Sequence, residues 1–145
     1  MIMKKNIIIL SGGFDPIHKG HIRMFKEAKK IGDVFVGLNS DKWLIRKKNK
    51  YFMPFDERKE ILESIKYIDI VIDFNDSDDT ACSLIKNIYS EFSLNKNVCF
   101  GNGGDRTNTT TPEVEYCIKE NIELIWGLGG GKIQSSSDLL KNWED

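Results

Sequence analysis

The stretch Ser11-Gly12-Gly13-Phe14-Asp15-Pro16-Ile17-His18-Lys19-Gly20-His21 joins a short apolar run to a segment with helical periodicity. The apolar run Asn6–Leu10 is typical of a buried strand, and the two glycines that follow end it. Apolar residues then recur on one side of a helix over Lys19–Ile31, and Gly32 ends that pattern. The stretch therefore predicts a strand, a glycine-rich turn and a helix N-terminus, where an anion is favoured.

Short apolar runs and helical segments alternate along the rest of the chain. We predict strands at Asn6–Leu10, Val34–Leu38, Ile68–Asp73, Asn97–Phe100 and Ile122–Trp126, helices at Lys19–Ile31, Pro54 to about Lys66, Asp76–Phe92, Pro112–Glu120 and Ser135–Trp143, and a cationic loop at Asp41–Tyr51. Such alternation indicates an α/β fold with a parallel sheet of about five strands. Ligands of such sheets bind beyond the carboxyl ends of the strands, so the glycine-rich breaks after strands one and four mark the candidate site.

Composition excludes several classes of protein. The chain has 145 residues and a net charge of −1, which predicts one domain and no nucleic-acid partner. Its longest apolar run, Ile7–Leu10, is far shorter than the roughly 20 residues that span a bilayer, so we expect no membrane contact. The three cysteines are widely spaced and form no CxxC pair, which favours a reducing cytoplasm over a disulfide or zinc framework.

Both histidines of the chain lie in the quoted stretch. His18 and His21 are three residues apart at the start of a helix, so their imidazoles should lie close together. Gly12 and Gly13 lack side chains, which would let a phosphate approach the backbone. The alternative is a helix start with two surface histidines. A zinc site would need further ligands at suitable spacing, and none accompanies the pair.

The segment Ser11–His21 resembles the signature of the cytidylyltransferase-like nucleotidyltransferases, in which Gly-x-Phe-Asp-x-x-His-x-Gly-His follows the first strand. Pro54–Arg58 is similar to the Pro-x-x-x-Arg helix opening of that family, and Gly103–Asp105 to its loop after strand four. Ile133–Ser137 resembles the start of its closing helix. The resemblance covers nearly the whole chain and implies a single nucleotidyltransferase domain at 1–145 with a Rossmann-like three-layer sandwich.

The resemblance implies transfer of a nucleotidyl group from a nucleoside triphosphate to a phosphorylated small molecule, with release of pyrophosphate. The region from Gly103 to Leu140 looks like heptose-1-phosphate adenylyltransferase domains, which favours ATP over CTP. The short length looks equally like glycerol-3-phosphate cytidylyltransferases. Mg²⁺ is expected on the triphosphate, with no metal ligand from protein side chains. A non-catalytic nucleotide-binding module is the rival interpretation, and a homodimer is an open option.

The resemblance and the residue chemistry together select the candidate site. The catalytic candidates are His18, His21 and Lys47, as donors and a cation for charge that develops during phosphoryl transfer. The nucleotide-binding candidates are Ser11, Gly12, Gly13, Phe14, Asp105, Lys132, Ser135, Ser136 and Ser137. The candidates for contact with a substrate phosphate are Lys42, Arg46 and Arg58.

Some of these candidates have competing explanations. The basic side chains of Asp41–Tyr51 either bind phosphate or are simply solvated. Arg58 reaches a phosphate or pairs with Asp56 or another nearby carboxylate. Asp105 shapes its loop or orients the acceptor or base. Ser135–Ser137 predicts an N-cap whose box closes at Asp138, and the same hydroxyls and N–H groups also suit a phosphate.

Overall fold

The computed structural model describes residues 4–103, 110–130 and 135–144. Its strands are β1 (Lys5–Gly12), β2 (Asp33–Leu38), β3 (Ile70–Asp73), β4 (Lys96–Gly103) and β5 (Glu123–Leu128). Its helices are α1 (Lys19–Ile31), α2 (Asp41–Lys48), α3 (Phe55–Glu63), α4 (Cys82–Phe92), α5 (Pro112–Lys119) and α6 (Ser136–Glu144). Asp105 and Lys132, both predicted to bind nucleotide, lie outside the described residues. None of the described helices is both long and apolar enough to cross a membrane.

The five strands form one parallel sheet in the order β3-β2-β1-β4-β5. In the centre, Ile9 of β1 pairs with Phe35 of β2 on one side and with Phe100 of β4 on the other. The chain builds outward from β1 through β2 and β3, then returns to the other side of β1 for β4 and β5. This confirms the predicted α/β fold and places the topological switch point between β1 and β4.

Alternate residues of the central strand enter two different cores, because side chains of a strand point to opposite faces. One core unites Ile8 and Leu10 with helices α1 and α3, and the other unites Ile7 and Ile9 with helices α4 and α5. The helix residues buried in these cores are Phe25, Ala28, Leu62, Leu84, Ile85, Ile88 and Cys117. Helices therefore cover both faces of the sheet, as a three-layer sandwich requires.

The predicted cationic loop Asp41–Tyr51 is wrong, since most of it is helix α2. The Oγ of Ser40 accepts the backbone N–H of Trp43 at 3.1 Å and caps the helix, and Leu44 is buried. The helix ends at Asn49, whose φ of 70° is left-handed. Basic residues gather in the last turn, where the helix dipole favours cations, so their charge stabilises a helix.

Helix α4 begins at Cys82, six residues later than predicted, and residues 76–81 form a loop. Asp76, expected at the head of that helix, is 5% exposed and belongs to this loop. Its carboxylate accepts the backbone N–H of Ser40 at 2.7 Å, the hydroxyl of Ser40 at 2.8 Å and the amide of Asn39 at 3.1 Å. The acidic residue thus anchors the start of α2 instead of starting α4.

Candidate active site

The two histidines meet at the N-terminus of α1. The Nδ1 of His18 accepts the backbone N–H of Gly20 at 3.1 Å, and the Nδ1 of His21 accepts the backbone N–H of His18 at 3.2 Å. Their rings stack with centroids 3.7 Å apart and planes 23° from parallel. Because Nδ1 acts as an acceptor in both rings, the proton of each neutral imidazole is on Nε2. The turn therefore presents two adjacent Nε2–H donors.

His21 is held neutral by its surroundings. Its surroundings lower its pKa from 6.5 to about 3: burial is the largest cause, and electrostatic repulsion by His18 and Lys48 acts in the same direction. The ring of Phe14 packs edge-on against His21 with centroids 4.8 Å apart, and is itself 5% exposed. At neutral pH His21 thus acts as an N–H donor without a net charge. The predicted contact of Phe14 with nucleotide is wrong for its ring, which lies in the core and positions His21.

Helix α2 lies directly on the glycine turn. A Cβ at Gly13 would come within 2.9 Å of the Leu44 side chain and 3.4 Å of the Trp43 ring. At Gly12 a Cβ would be 3.0 Å from the Phe14 ring. The sequence suggested that these glycines leave room for a phosphate. The structure adds a packing reason, since the Phe14, Trp43 and Leu44 side chains lie where a Cβ on these glycines would be.

Asp15 is a site residue to which the sequence analysis assigned no role. Its side chain is buried, and its carboxylate accepts the backbone N–H of Phe52 at 2.6 Å and of Met53 at 2.7 Å. These bonds fasten the segment after α2 to the turn that precedes the histidines. A charged residue followed by proline between a strand and a helix was the available signal, but its partners are 37 and 38 residues away.

Arg58 is the largest fully buried side chain among the described residues. Its guanidinium donates to the carbonyl oxygens of Gly13 at 2.9 Å, Asn39 at 2.8 Å and Met53 at 2.9 Å, and to the carboxylate of Asp41 at 2.7 Å. The predicted phosphate contact is therefore wrong, and the alternative of an ion pair is observed, with Asp41 as the carboxylate. Arg58 holds the glycine turn, β2 and α2 together.

Arg46 also makes contacts within the protein. Its Nε donates to the carboxylate of Asp79 at 2.8 Å, and its Nη2 donates to the backbone oxygen of Asp76 at 2.7 Å. Arg46 thus fastens α2 to the loop after β3, and its predicted contact with a substrate phosphate stays a prediction.

The lysines of α2 remain candidates for a polyphosphate. Lys42 and Lys47 are exposed, and the Nζ of Lys47 lies over the ring of Trp43, 5.8 Å from its centre. Lys48 is half-buried, and its charge reaches His21 strongly enough to lower the pKa of that ring. Lys47 and Lys48 follow Trp43 and Leu44 by one turn, so they share the side of α2 that faces the glycine turn.

The start of α6 is brought to the histidine turn. The Oγ of Ser135 accepts the backbone N–H of Asp138 at 3.4 Å, which confirms the predicted N-cap. The hydroxyl of Ser136 donates to the backbone oxygen of Pro16 at 2.6 Å, two residues before His18. Ser137 is exposed. A second helix N-terminus therefore lies beside the first, and both favour an anion.

Known proteins share this sequence pattern. The model of the family described as cytidylyltransferase-like matches residues 9–127. Among curated proteins, the chain is 41% identical over 71 residues to glycerol-3-phosphate cytidylyltransferase of Bacillus subtilis, covering 48% of this chain and 54% of that one. It is 41% identical over 69 residues to FAD synthase of Archaeoglobus fulgidus, covering 48% and 50%. These alignments span about half the length of the relatives.

Another relative aligns with nearly the whole chain, and a solved structure shares its fold. Bifunctional protein HldE of Geobacter metallireducens is 37% identical over 141 residues, which cover 94% of this chain and 27% of that protein. The lipopolysaccharide core biosynthesis protein of Thermoplasma volcanium shares the fold, with a TM-score of 0.62 at 21% identity over 86% of this chain and 96% of that one. The family model covers most of the chain, from the first strand to the last. The chain belongs to the cytidylyltransferase-like family.

Proposed function

We propose that the chain transfers a nucleotidyl group from a nucleoside triphosphate to a sugar phosphate or polyol phosphate and releases pyrophosphate. The observation that carries the proposal is the pair of Nε2–H donors on His18 and His21, set at the N-terminus of α1. The N-terminus of α6 lies beside them through the bond from Ser136 to Pro16. Two helix N-termini and two donors form a site for several phosphate groups at once.

The reaction needs positioning more than acid–base chemistry. A phosphate oxygen of the acceptor attacks the α-phosphorus and forms a phosphoanhydride bond. The bond from the α-phosphorus to the bridging oxygen breaks, and pyrophosphate leaves with that electron pair. Because the attacking oxygen is already an anion, no strong general base is required. His18 and His21 donate hydrogen bonds to the oxygens on which negative charge develops, and Lys47 adds a cation.

Mg²⁺ is the cofactor in this proposal. Among the described residues, no group of three or more His, Cys, Asp or Glu side chains could hold a metal ion. In this proposal the triphosphate carries the ion, and His18, His21 and Lys47 contact the phosphate oxygens. Such an ion would neutralise part of the polyphosphate charge.

ATP is our first choice of nucleotide. The region from Gly103 to Leu140 resembles heptose-1-phosphate adenylyltransferase domains, and FAD, the product named for another relative, contains an adenylyl unit. The alternative is CTP with glycerol 3-phosphate, favoured by 41% identity to the cytidylyltransferase of Bacillus subtilis. We place the reaction in the cytoplasm, where Cys99 and Cys117 stay reduced; both are buried, and burial raises the pKa of each thiol to about 12.

Pyrophosphate release tests the proposal. ATP and CTP are each incubated with Mg²⁺ and a panel of sugar, polyol and pantetheine phosphates. We expect release only when nucleotide and one acceptor class are both present, and its loss in His18→Ala. Nucleotide binding without release for any acceptor would contradict transfer and support a non-catalytic binding module. Sedimentation of the same protein decides between a monomer and a homodimer.

A further inference from the structure

The side-chain amide of Asn102 carries a hydrogen-bond donor that has no partner among the described residues. Among residues 4–103, 110–130 and 135–144, its Nδ2 is the buried side-chain atom without a hydrogen-bond partner, and the residue is 5% exposed. Buried polar groups in folded proteins are nearly always paired, because an unpaired donor keeps the cost of its lost hydration. An amide in this position therefore requires an explanation other than folding.

The place of Asn102 in the sheet supplies one. Phe100 of β4 pairs with Ile9 of β1, and Asn102 lies two residues after Phe100. It is therefore near the edge of the sheet at which β1 ends with Gly12. This edge, between β1 and β4, is the switch point where ligands of such sheets bind. On its other side, the register of β5 against β4 is interrupted between Gly101 and Gly103, and such bulges are common beside active sites.

The neighbouring glycines show on which face of the sheet the side chain of Asn102 lies. A Cβ at Gly101 would lie 2.6 Å from Leu10 and 2.7 Å from Leu128, and one at Gly103 would collide with Met24. These contacts close the face of β4 that packs against α1. By strand alternation, Asn102 shares the opposite face with Phe100. The histidines belong to α1, so Asn102 and the histidine pair approach the same edge from different faces.

We propose that Asn102 is a specificity-determining residue, whose Nδ2 donates a hydrogen bond to an uncharged oxygen or ring nitrogen of the substrate bound at the switch point. The inference rests on the proposed function and adds a contact outside the reacting phosphates. A neutral amide suits a carbonyl, hydroxyl or ring-nitrogen acceptor, whereas the phosphates face the histidines and helix N-termini. Two sources supply this chemistry, namely the nucleoside half of the triphosphate and a hydroxyl of the phosphorylated acceptor.

Two variants test the inference through binding and stability together. Asn102→Leu replaces the amide with an apolar group of similar size, and Asn102→Ala removes it without added bulk. Calorimetry gives Kd for ATP and CTP with Mg²⁺, and steady-state kinetics give KM for the acceptor found in the pyrophosphate screen. We expect one of these constants to rise about 5- to 10-fold, the loss of one neutral hydrogen bond. The melting temperature of ligand-free Asn102→Leu should stay level or rise, because an unpaired donor is removed.

The pattern of losses identifies the source. A rise confined to nucleotide Kd assigns the contact to the nucleoside, and a rise confined to acceptor KM assigns it to the acceptor. Asn97→Leu is the matched control: Asn97 lies at the other end of β4 and is exposed, so this variant should bind both substrates like the wild type.

Unchanged Kd and KM in both Asn102 variants would overturn the inference, and a fall in their melting temperature would then make the amide structural. Failure of the proposed function has a different signature, because wild-type protein would then release no pyrophosphate with any acceptor. A wild type that binds neither nucleotide contradicts both proposals.

Discussion

The Nδ1 of His21 accepts the backbone N–H of His18 at 3.2 Å, while the two imidazole rings stack 3.7 Å apart. One histidine therefore caps the turn that carries the other. Both Nδ1 atoms accept backbone N–H groups, which places the ring proton of each neutral imidazole on Nε2. The two hydrogen bonds that cap the start of α1 therefore also fix the tautomer of both imidazole rings.

Loss of either Nε2–H should slow the reaction more than it weakens binding. We expect His18→Ala and His21→Ala each to lower kcat by about 10²- to 10³-fold, the scale of one transition-state donor, with smaller changes in KM. His21→Asn is the sharper variant, because its amide oxygen can still accept the backbone N–H of His18. It should keep the melting temperature near that of the wild type and still lose turnover. Full kcat in His21→Asn would remove His21 from the mechanism.

His21 also predicts how stability depends on pH. Its pKa is 6.5 in the unfolded chain and about 3 in the folded protein, so between these values the unfolded state binds more protons. The part of the folding stability that depends on a neutral His21 is fully present above pH 6.5 and is lost as the pH falls toward 3. Between pH 7 and pH 5 the loss from this residue is about 2 kcal/mol.

Urea denaturation at the two pH values measures this loss. The wild type should lose about 2 kcal/mol more than His21→Asn, which has no titrating group at this position. Equal losses in the two proteins would show that His21 titrates normally in the folded state.

Lys47 and Lys48, on the side of α2 that faces the glycine turn, should bind polyphosphate. We expect Lys47→Ala and Lys48→Ala to raise the nucleotide KM several-fold at low salt. The difference in KM between each variant and the wild type should shrink as added salt screens the lysine charge. Lys30→Ala is the control, since Lys30 lies about 16 Å along α1 from its first residue, Lys19. If the Lys47 and Lys48 variants behave like Lys30→Ala at both salt concentrations, α2 is only a solvated helix.

The buried guanidinium of Arg58 should matter for folding. Its side chain is fully buried and pairs with Asp41, so Arg58→Met leaves that carboxylate and three carbonyl oxygens without their partner. We expect a loss of about 3–5 kcal/mol in the free energy of unfolding. Arg46→Met is the comparison: it removes contacts with Asp79 and Asp76, but the Arg46 side chain is 38% exposed, so this variant should lose less than Arg58→Met. Similar losses in both variants would contradict the structural role of Arg58.

Capping and phosphate binding can be separated at the start of α6. Ser135→Ala removes the cap that Asp138 uses and should cost about 1 kcal/mol, or a few degrees of melting temperature. Ser137 is exposed, so Ser137→Ala should leave the free protein unchanged and reduce the thermal shift produced by ATP or CTP with Mg²⁺. A wild-type shift in Ser137→Ala would mean that its hydroxyl does not contact the triphosphate.

The sequence by itself determined the features that depend on neighbouring residues. The order of strands and helices, the bounds of α1 at Lys19 and Ile31, and the cap at Ser135 all follow from periodicity and end signals within a few positions. The parallel sheet follows from the alternation of these elements. Helix α2 was missed because its basic composition outweighed the cap at Ser40 and the single buried Leu44.

Only the tertiary structure decided what the charged and polar side chains of the site do. Arg58 reaches Gly13 across 45 positions, Asp15 reaches Phe52 across 37, and Arg46 reaches Asp79 across 33. No local pattern encodes such a partner, because a guanidinium or carboxylate has the same sequence signal whether it binds a phosphate or a backbone group. Burial decides between these roles: it forces Arg58 and Asp15 to pair within the protein. Among the residues that the structure describes, it leaves the Asn102 amide without a partner at the edge where a substrate would bind.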